Sequence, residues 1–395
     1  MVSRRGFLTG GVAAASAAVG ATVGSAATAQ VNATNSETAT AERKLDFYGE
    51  HQMGIEAPIQ AVTNMVAFDV LEGTTKQDML RWMTLLTDDI ARMTNGEPVL
   101  ADPAPELAIG AARFSSYVGF GPSLFNKLNI PLPPGLIELP AFSIDALEEK
   151  YSGGDVLIHV AADDPVVLSH GVRSLVRDSM PFAKVRWNQA GFAHTPGMVP
   201  EGVSHRNLMG QIDGTANPKL GSNDFDWTVW ADQGPDWMVG GTYLVFRRIQ
   251  MLLDTWDQLG TASKEEAVGR KLASGAPVTG TVESDLPDYN ARNANGLKTI
   301  ADFAHIRRAS DSGQGMPIFR RPFSYEDPIS ETGSMNVGLL WCAYQRDINT
   351  QYLPMQRRLE ELDLLNRWTL PIGSATFAIP GGVSEGEVIA QALFS

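Results

Sequence analysis

Apolar residues recur along the N-terminal half of the chain with the two-residue period of strands or the 3.6-residue period of helices. They predict, in order, a strand at 61–70, a helix capped by Thr74 or Thr75 and ended by Asn95 and Gly96, strands at 113–120 and 156–162, a helix opened by Asp164 and Pro165, and a strand at 184–188. The predicted order is β-α-β-β-α-β.

The C-terminal half shows a less complete version of this order. It predicts a strand at 241–251, a short helix opened by a capping box at Ser263 and Glu266, a strand at 337–344, a helix at 354–365 and a strand at 375–379. Residues 278–325 lack periodicity, and so long a segment in a compact domain is usually functional or disordered. We favour a functional segment, because His305 and Arg320 lie within it.

Two split β-α-β units with antiparallel sheets predict an α+β fold made of two ferredoxin-like domains. We place these domains at residues 45–222 and 223–395. The polar and aperiodic residues 30–44 predict a disordered linker before them. No sequence repeat is strong enough to prove a duplication.

The first 29 residues predict an export signal. Arg4 and Arg5 precede a weakly hydrophobic, alanine-rich run at 12–23, and small residues at 27–29 provide a cleavage site. The run is too short and too poor in large apolar residues for a spanning helix. It resembles a twin-arginine signal, which predicts delivery by the twin-arginine export machinery to the periplasm or the cell exterior, without a stable membrane anchor. Because that machinery carries folded proteins, the signal also favours a bound cofactor.

Charge and cysteine content narrow the function classes. The 395 residues carry a formal net charge of −14, which disfavours nucleic acid and anionic membrane surfaces as partners. The one cysteine, Cys342, lies in an apolar run and cannot form an intramolecular disulfide. We therefore predict a buried structural thiol.

Six histidines provide the candidate imidazoles. None shows the spacing of a zinc site, and the sequence contains no hydrolase nucleophile elbow or phosphate loop. His159 in an apolar strand and His170 in a helix are predicted to be structural. His305 differs, because it lies beside apolar residues and the guanidiniums of Arg307 and Arg308. Haem iron takes an imidazole ligand, and haem propionates attract arginine.

A second candidate is the run at 210–218, GQIDGTANP, which places Asp213 between glycines. Alone, such a run is usually a turn in which the aspartate bonds its own backbone and a glycine takes a positive φ. A functional role for Asp213 gains support when other segments of the chain are considered together with this run.

Several segments together resemble the dye-decolorizing peroxidases, in particular their exported, deferrochelatase-like branch. The resemblance covers essentially the whole mature chain. It lies in residues 47–55 (FYGEHQMGI), 118–125 (VGFGPSLF), 206–218 (RNLMGQIDGTANP), 304–307 (AHIR), 318–325 (IFRRPFSY), 339–347 (LLWCAYQRD) and 373–378 (GSATFA). The Gly-x-x-Asp-Gly motif with a downstream His and Arg is the fingerprint of the family.

The resemblance implies haem b, held between the two ferredoxin-like domains of a dimeric α+β barrel-like fold. It implies His305 as the iron ligand, Asp213 as the acid–base residue and Arg320 as the arginine beside it, with the neighbouring Arg321 as the alternative. Further cofactor contacts are expected from Gly214, Arg307 and Arg321.

The implied function is a haem peroxidase that reduces hydrogen peroxide and oxidises dyes, phenols or similar small-molecule donors by single electrons, through an oxoferryl intermediate. Three alternatives stay open at this point. They are a deferrochelatase that releases iron from haem and leaves the tetrapyrrole intact, an exported haem carrier without turnover, and an α+β binding protein whose motif is only a turn. An acid–base pair of Asp213 and Arg320 disfavours the carrier. The sequence does not identify the physiological electron donor, and it does not show whether the protein is a homo-oligomer.

Overall fold

The structure is a computed structural model that describes residues 40–200, 203–310, 317–329 and 333–395. The predicted signal and residues 30–39 of the predicted linker lie outside the described residues. Residues 40–44 are mostly exposed, but backbone hydrogen bonds connect them to the folded chain. Thr40–Glu42 form a short 3₁₀ helix, and the carbonyl of Arg43 accepts a hydrogen bond of 2.7 Å from the N–H of Arg113.

The strands and helices of the N-terminal half follow the predicted order, with one unpredicted helix, α2. They are β1 (Val62–Val70), α1 (Lys76–Thr94), β2 (Ser115–Phe120), α2 (Pro122–Leu128), β3 (Val156–Ala162), α3 (Pro165–Ser179) and β4 (Ala183–Phe192), with 3₁₀ helices at Pro105–Leu107 and Glu149–Tyr151. Thr75 caps α1 in a capping box with Asp78, and Asp164 caps α3. Both helices therefore begin where the sequence predicted.

The C-terminal half contains more short elements than its sequence pattern indicated. They are β5 (His205–Arg206), β6 (Ile212–Asp213), α4 (Asn223–Val229), β7 (Thr242–Met251), α5 (Leu253–Trp256), α6 (Thr261–Val268), α7 (His305–Ala309), β8 (Phe319–Arg320), β9 (Phe323–Asp327), β10 (Asn336–Gln345), α8 (Leu353–Leu362), β11 (Thr369–Ile379) and α9 (Gln391–Phe394). Single turns lie at Asp236–Met238, Ile348–Tyr352 and Leu364–Arg367. None of the helices in the described ranges has the length and apolarity needed to cross a membrane.

Two predicted helix ends are wrong. α6 begins directly after Gly260, so Ser263 lies inside the helix and forms no capping box. The carbonyl of Gly260 instead accepts a hydrogen bond from the N–H of Ser263. α8 ends before Asp363, because this residue leaves the helix and its carboxylate accepts a hydrogen bond of 2.9 Å from the N–H of Leu365.

The antiparallel strands form two four-stranded halves that close into one barrel. In the N-terminal half the order is β4-β1-β3-β2, and in the C-terminal half it is β9-β10-β7-β11. Each order is that of a ferredoxin-like domain. The halves join where Phe120 pairs with Ala378 and Phe192 with Ser324, which closes eight strands into a ring. The predicted α+β fold with a barrel of two ferredoxin-like halves is confirmed.

Apolar side chains from all eight barrel strands fill the interior, as the two-residue period of strands requires. Cys342 is fully buried there, with its Sγ 3.7 Å from the Sδ of Met65, and burial raises the pKa of the thiol to about 12. The predicted buried structural thiol is confirmed. His159 and His170 are also buried, and each has a hydrogen-bonding partner within the N-terminal half.

Outside the barrel, α1 buries Asp89 against α3, and this carboxyl should make stability depend on pH. Burial, and then the charge of Asp178, raise the pKa of Asp89 to about 7. An unfolded aspartate titrates near 3.9, so the folded state holds an extra proton between about pH 4 and pH 7, and stability falls as pH rises through this window. We expect Asp89→Asn to be more stable than wild type, with an advantage that grows by about 2 kcal/mol between pH 5 and pH 8.

Urea unfolding of both proteins at the two pH values would measure this advantage. Asp88→Asn provides the matched control, because Asp88 lies on the same helix, is about half exposed and pairs with Arg92 at the surface. It should change the pH dependence much less than Asp89→Asn does, because burial and Asp178 act on the pKa of Asp89 more strongly than Asp88. A constant difference between Asp89→Asn and wild type at both pH values would contradict the prediction.

Candidate active site

Asp213 lies at the end of a short hairpin formed by β5 and β6. The Oδ1 atom of Asn207 accepts hydrogen bonds from the N–H groups of Met209 and Gln211, at 3.0 and 3.2 Å, and so fixes the connecting turn. The guanidinium of Arg206 donates to the carbonyls of residues 272 and 273 and fastens the hairpin to the loop after α6. The Asp213 carboxylate is therefore carried by a firmly held backbone.

The residues after Asp213 connect the hairpin to β8. Gly214 has a φ of +125°, which glycine adopts without strain, and a side chain there would make ordinary contacts with Ser204 and Asn217 rather than clash. The Asn217 side chain then bonds the backbone of Arg320 in both directions. Its Nδ2 donates to the Arg320 carbonyl at 2.7 Å, and its Oδ1 accepts from the Arg320 N–H at 3.1 Å. Asn217 therefore sets the position of the arginine relative to the carboxylate.

Asp213 and Arg320 form an ion pair. The Oδ1 of Asp213 accepts a hydrogen bond of 2.9 Å from Nη1 of Arg320. Their side chains are 14% and 22% exposed, so the pair is partly shielded but still open to a small molecule. A carboxylate beside a guanidinium provides one group that can take up a proton and one that keeps its positive charge.

His305 is the first residue of α7 and is oriented by a carboxylate that the sequence analysis missed. Its Nδ1 lies 2.6 Å from Oδ2 of Asp363, whose side chain is 3% exposed. Burial by itself lowers the pKa of His305, but the adjacent Asp363 carboxylate outweighs burial and leaves the pKa above its usual value. Because Nδ1 is engaged, Nε2 is the nitrogen left for a metal ion.

Side-chain bonds from neighbouring loops hold α7 in place. Arg307 donates to the carbonyls of Tyr289 and Ile300, both within 2.7 Å, and its guanidinium lies over the ring of Tyr289. Arg308 donates to the carbonyl of Arg358 on α8 at 2.9 Å. Arg307 and Arg308 therefore fix the position of α7 by bonding the backbone of neighbouring segments. A contact between Arg307 and the cofactor stays a prediction.

The structure brings the three principal candidates together. After burial and Asp363, the next influences on the pKa of His305 are Arg320, which lowers it, and Asp213, which raises it. The imidazole and the ion pair therefore lie within electrostatic range of each other, although 92 residues separate Asp213 from His305 in the sequence.

Arg321 points away from this ion pair, since successive side chains along an extended segment point in opposite directions. Its guanidinium is buried and donates to the carbonyl of Ala57 and to the side chain of Gln60. Burial also lowers its pKa. Arg320, and not its neighbour, is the arginine that contacts Asp213.

Two functional candidates were missed by the sequence analysis. Asn217 is part of the GQIDGTANP run, so its position four residues after the aspartate was a usable signal. Asp363 gave no such signal, because it lies 58 residues from His305 and inside a stretch predicted to be helical. Only the folded chain shows that it faces the imidazole.

The space around these residues fits a haem group. The side chain of His305 is 31% exposed, so the imidazole faces an opening. On the hairpin face that carries Asp213, Nδ1 of His205 and Nε2 of Gln211 are buried and have no partner among the described residues. A buried apolar cluster packs beside the hairpin and the segment after Asp363, and it consists of Met209, Met251, Trp256, Val268, Leu339 and Leu365. An imidazole with a free Nε2, a charged pair near it and apolar residues packed beside them are the kinds of group that surround haem in proteins.

Comparisons with known proteins agree with this reading of the site. Residues 52–193 match the family described as Dyp-type peroxidase, N-terminal, and residues 204–384 match Dyp-type peroxidase, C-terminal. A dye-decolorizing peroxidase of Thermobifida fusca is 35% identical over 99% of this chain and 97% of its own. A deferrochelatase of Shigella flexneri is 32% identical over 99% of this chain and 96% of its own.

The structural match is equally extensive. A crystal structure of a DyP-type peroxidase from Cellulomonas bogoriensis is 42% identical and covers 91% of this chain and 100% of its own, with a TM-score of 0.87. The chain belongs to the DyP-type peroxidase family. It is a haem-dependent peroxidase.

On the expectation that His305 binds the iron, Asp363→Asn should keep the haem but make the imidazole a weaker ligand. The amide oxygen can still accept a hydrogen bond from Nδ1, but the second oxygen, which accepts from the N–H of Leu365, is replaced by an amide nitrogen, and the negative charge that makes the imidazole more basic is lost. We expect the reduction potential of the haem iron to rise and the reaction with hydrogen peroxide to slow by about tenfold. Spectroelectrochemical titration and stopped-flow absorbance would measure the two effects.

Asp347→Asn is the matched control, because Asp347 caps another turn by accepting from the N–H of Asn349 at 2.7 Å. It should behave as wild type in both measurements. An unchanged reduction potential in Asp363→Asn would show that the charge of Asp363 does not act on the iron through His305.

Proposed function

We propose that His305 holds the haem iron through Nε2, that Asp213 is the acid–base residue, and that Arg320 stabilises negative charge beside it. The observation that carries this proposal is the 2.9 Å ion pair between Asp213 and Arg320, within electrostatic range of an imidazole oriented by a carboxylate. Hydrogen peroxide is the substrate class that these groups suit, because its reduction needs a proton moved and a charge stabilised at one place.

Bound haem supplies the redox-active iron and porphyrin, which accept single electrons from the donor. The protein supplies the proton chemistry. The Asp213 carboxylate takes a proton from one oxygen of hydrogen peroxide and returns it to the other, which leaves as water. Arg320 keeps its positive charge throughout and steadies the charge that develops as the oxygen–oxygen bond breaks. Asp363 holds His305 in one tautomer and one orientation.

The donors that we propose are dyes, phenols and similar small organic molecules. Support comes from the Thermobifida fusca relative, which is named a dye-decolorizing peroxidase. Purified haem-loaded protein should oxidise a phenol and an anthraquinone dye only when hydrogen peroxide is present. Absence of peroxide-dependent oxidation of either class would contradict this proposal.

A deferrochelatase activity is the second candidate, because relatives at 32% identity over almost the whole chain carry that name. The same assay separates the two functions if free protoporphyrin is measured by fluorescence. We expect donor oxidation without release of protoporphyrin. Stoichiometric protoporphyrin from added haem, with little donor oxidation, would favour the deferrochelatase.

Export by the twin-arginine machinery to the periplasm or the cell exterior is likewise a proposal. It is supported by Arg4 and Arg5 before an alanine-rich run, a segment outside the described residues. Fractionation of cells that express wild type or a variant with lysine at both positions would test it. Equal export of the two proteins would contradict the proposed route.

A further inference from the structure

Arg270 follows α6 closely in the chain, and its backbone lies beside the helix that carries His305. At the preceding residue, Gly269, a Cβ atom would lie 2.6 Å from Cγ1 of Ile306, which follows His305 on α7. Gly269 also has a φ of +87°, a conformation that favours glycine. The chain therefore reaches Arg270 in direct contact with α7.

The side chain of Arg270 extends from α7 to the hairpin that carries Asp213. Its Nη1 donates to the carbonyl of Gly275 at 2.7 Å and to the carbonyl of Glu283 at 3.0 Å. A Cβ atom at Gly275 would lie 2.7 Å from Cδ1 of Ile212, the residue before Asp213. The guanidinium is therefore fixed between the two elements that carry the candidate imidazole and the candidate carboxylate.

The positive charge of Arg270 is not balanced by an ion pair with any carboxylate of the described residues. The carboxylate of Glu283 accepts a hydrogen bond of 2.8 Å from the hydroxyl of Thr215 instead. Burial lowers the pKa of Arg270, Tyr289 and Glu283 act in the opposite direction, and the charge of Arg320 lowers it further. Arg270 therefore lies within electrostatic range of Arg320 and keeps a positive charge at the site.

The open part of the Arg270 guanidinium is the edge formed by Nε and Nη2. Neither atom donates to a residue in the described ranges, and both keep accessible surface. This edge can give a carboxylate two parallel hydrogen bonds. Arg113 binds Asp163 in this way, with bonds of 2.6 and 2.8 Å from Nε and Nη2 to the two carboxylate oxygens.

The arginines that the sequence suggested for the cofactor do not offer this edge. Nε and Nη2 of Arg307 both donate to backbone carbonyls, those of residues 289, 300 and 301. The guanidinium of Arg321 is buried and points away from the ion pair of Asp213 and Arg320. Arg270 is therefore a better candidate than Arg307 or Arg321 for holding a negative group of the cofactor.

Haem brings two propionate carboxylates into its site, and carboxylates that leave water need charged or hydrogen-bonding partners. We propose that Arg270 binds a haem propionate through Nε and Nη2. The proposal rests on the haem site proposed above, in which His305 holds the iron. The same edge would also suit the carboxylate of an organic electron donor, and esters of the two molecules distinguish these sources.

The test compares cofactor release from wild type and Arg270→Gln, each loaded with haem or with haem dimethyl ester. Transfer of the cofactor to excess apomyoglobin, followed in the Soret band, gives the dissociation rate. We expect haem to leave Arg270→Gln about tenfold faster than wild type, because two charge-assisted hydrogen bonds are lost. The ester, which lacks the propionate charges, should leave the two proteins at similar rates.

Arg270→Lys keeps the charge but not the paired edge, so it should release haem at an intermediate rate and the ester as wild type does. It carries the same comparison where Arg270→Gln folds poorly. The matched control is Arg292→Gln, because Arg292 is exposed and its Nη1 also donates to a nearby carbonyl, that of Gly296, at 2.7 Å. This control should release both cofactors as wild type does.

Equal acceleration of haem and ester release in Arg270→Gln would overturn the proposal, because it would show a structural role only. Unchanged haem release would overturn it as well. A raised KM for ferulic acid but not for its methyl ester would then assign the edge to the carboxylate of the donor. Wild-type haem content in His305→Gln would instead overturn the proposed haem site, so the two failures are distinguishable.

Discussion

Asp213→Asn should bind haem as wild type does and react with hydrogen peroxide about 10²- to 10⁴-fold more slowly. Asparagine has almost the same shape as aspartate, and its Oδ1 can still accept the 2.9 Å hydrogen bond from Arg320. It cannot take up a proton, however, so the transfer between the two peroxide oxygens loses its carrier. The structural environment is kept and only the acid–base function is removed.

The measurement is the second-order rate of the spectral change on mixing with hydrogen peroxide, together with haem content from the Soret band. Asp254→Asn is a suitable control, because Asp254 is an exposed residue of α5 that is not part of the site. It should match wild type in both measurements. A peroxide rate in Asp213→Asn within a few-fold of wild type would refute the role proposed for Asp213.

His305→Ala should lose haem almost completely. Nε2 of His305 is the nitrogen left free by the bond to Asp363, and we propose no other protein ligand for the iron. The substitution also leaves the Asp363 carboxylate, 3% exposed, without its partner, which destabilises the protein. Loss of haem in this variant alone could therefore reflect poor folding.

His305→Gln separates the two causes, because the glutamine amide can donate a hydrogen bond to Asp363 but is a poor ligand for haem iron. We expect this variant to fold, with circular dichroism like that of wild type, and to show a strongly reduced Soret band after incubation with haem. The control is His170→Gln, which should keep full haem content, because His170 pairs with Asp102 in the N-terminal half. A His305→Gln variant with wild-type haem content and spectrum would show that another residue binds the iron.

The strands and helices could largely be predicted from the sequence, because each depends on local periodicity. The capping box at Thr75 and the apolar run at 156–162 are such local signals, and both elements form where expected. The ends of α6 and α8 could not be predicted in this way. At Gly260 and Asp363 the chain is stopped by hydrogen bonds whose partners depend on where it turns.

The site also combines features that local sequence signals indicate with features that only the fold decides. Asp213, His305 and Arg320 were found through a motif and a family resemblance, and the structure places them within electrostatic range. The sequence could not distinguish Arg320 from Arg321, since adjacent arginines are equivalent in a pattern. Their difference arises in the fold, where one bonds Asp213 and the other bonds the backbone of Ala57.

The sequence by itself determined the order of the strands and longer helices of the N-terminal half and the buried thiol at Cys342, because these depend on neighbouring residues, and it pointed to Asp213, His305 and Arg320 through a short motif and a family resemblance. Tertiary structure alone decided which strand edges join to close the barrel and that Asp363 orients His305. Contacts of this kind join residues that are distant in sequence, and they depend on the register of strands and the packing of helices, which local periodicity does not encode.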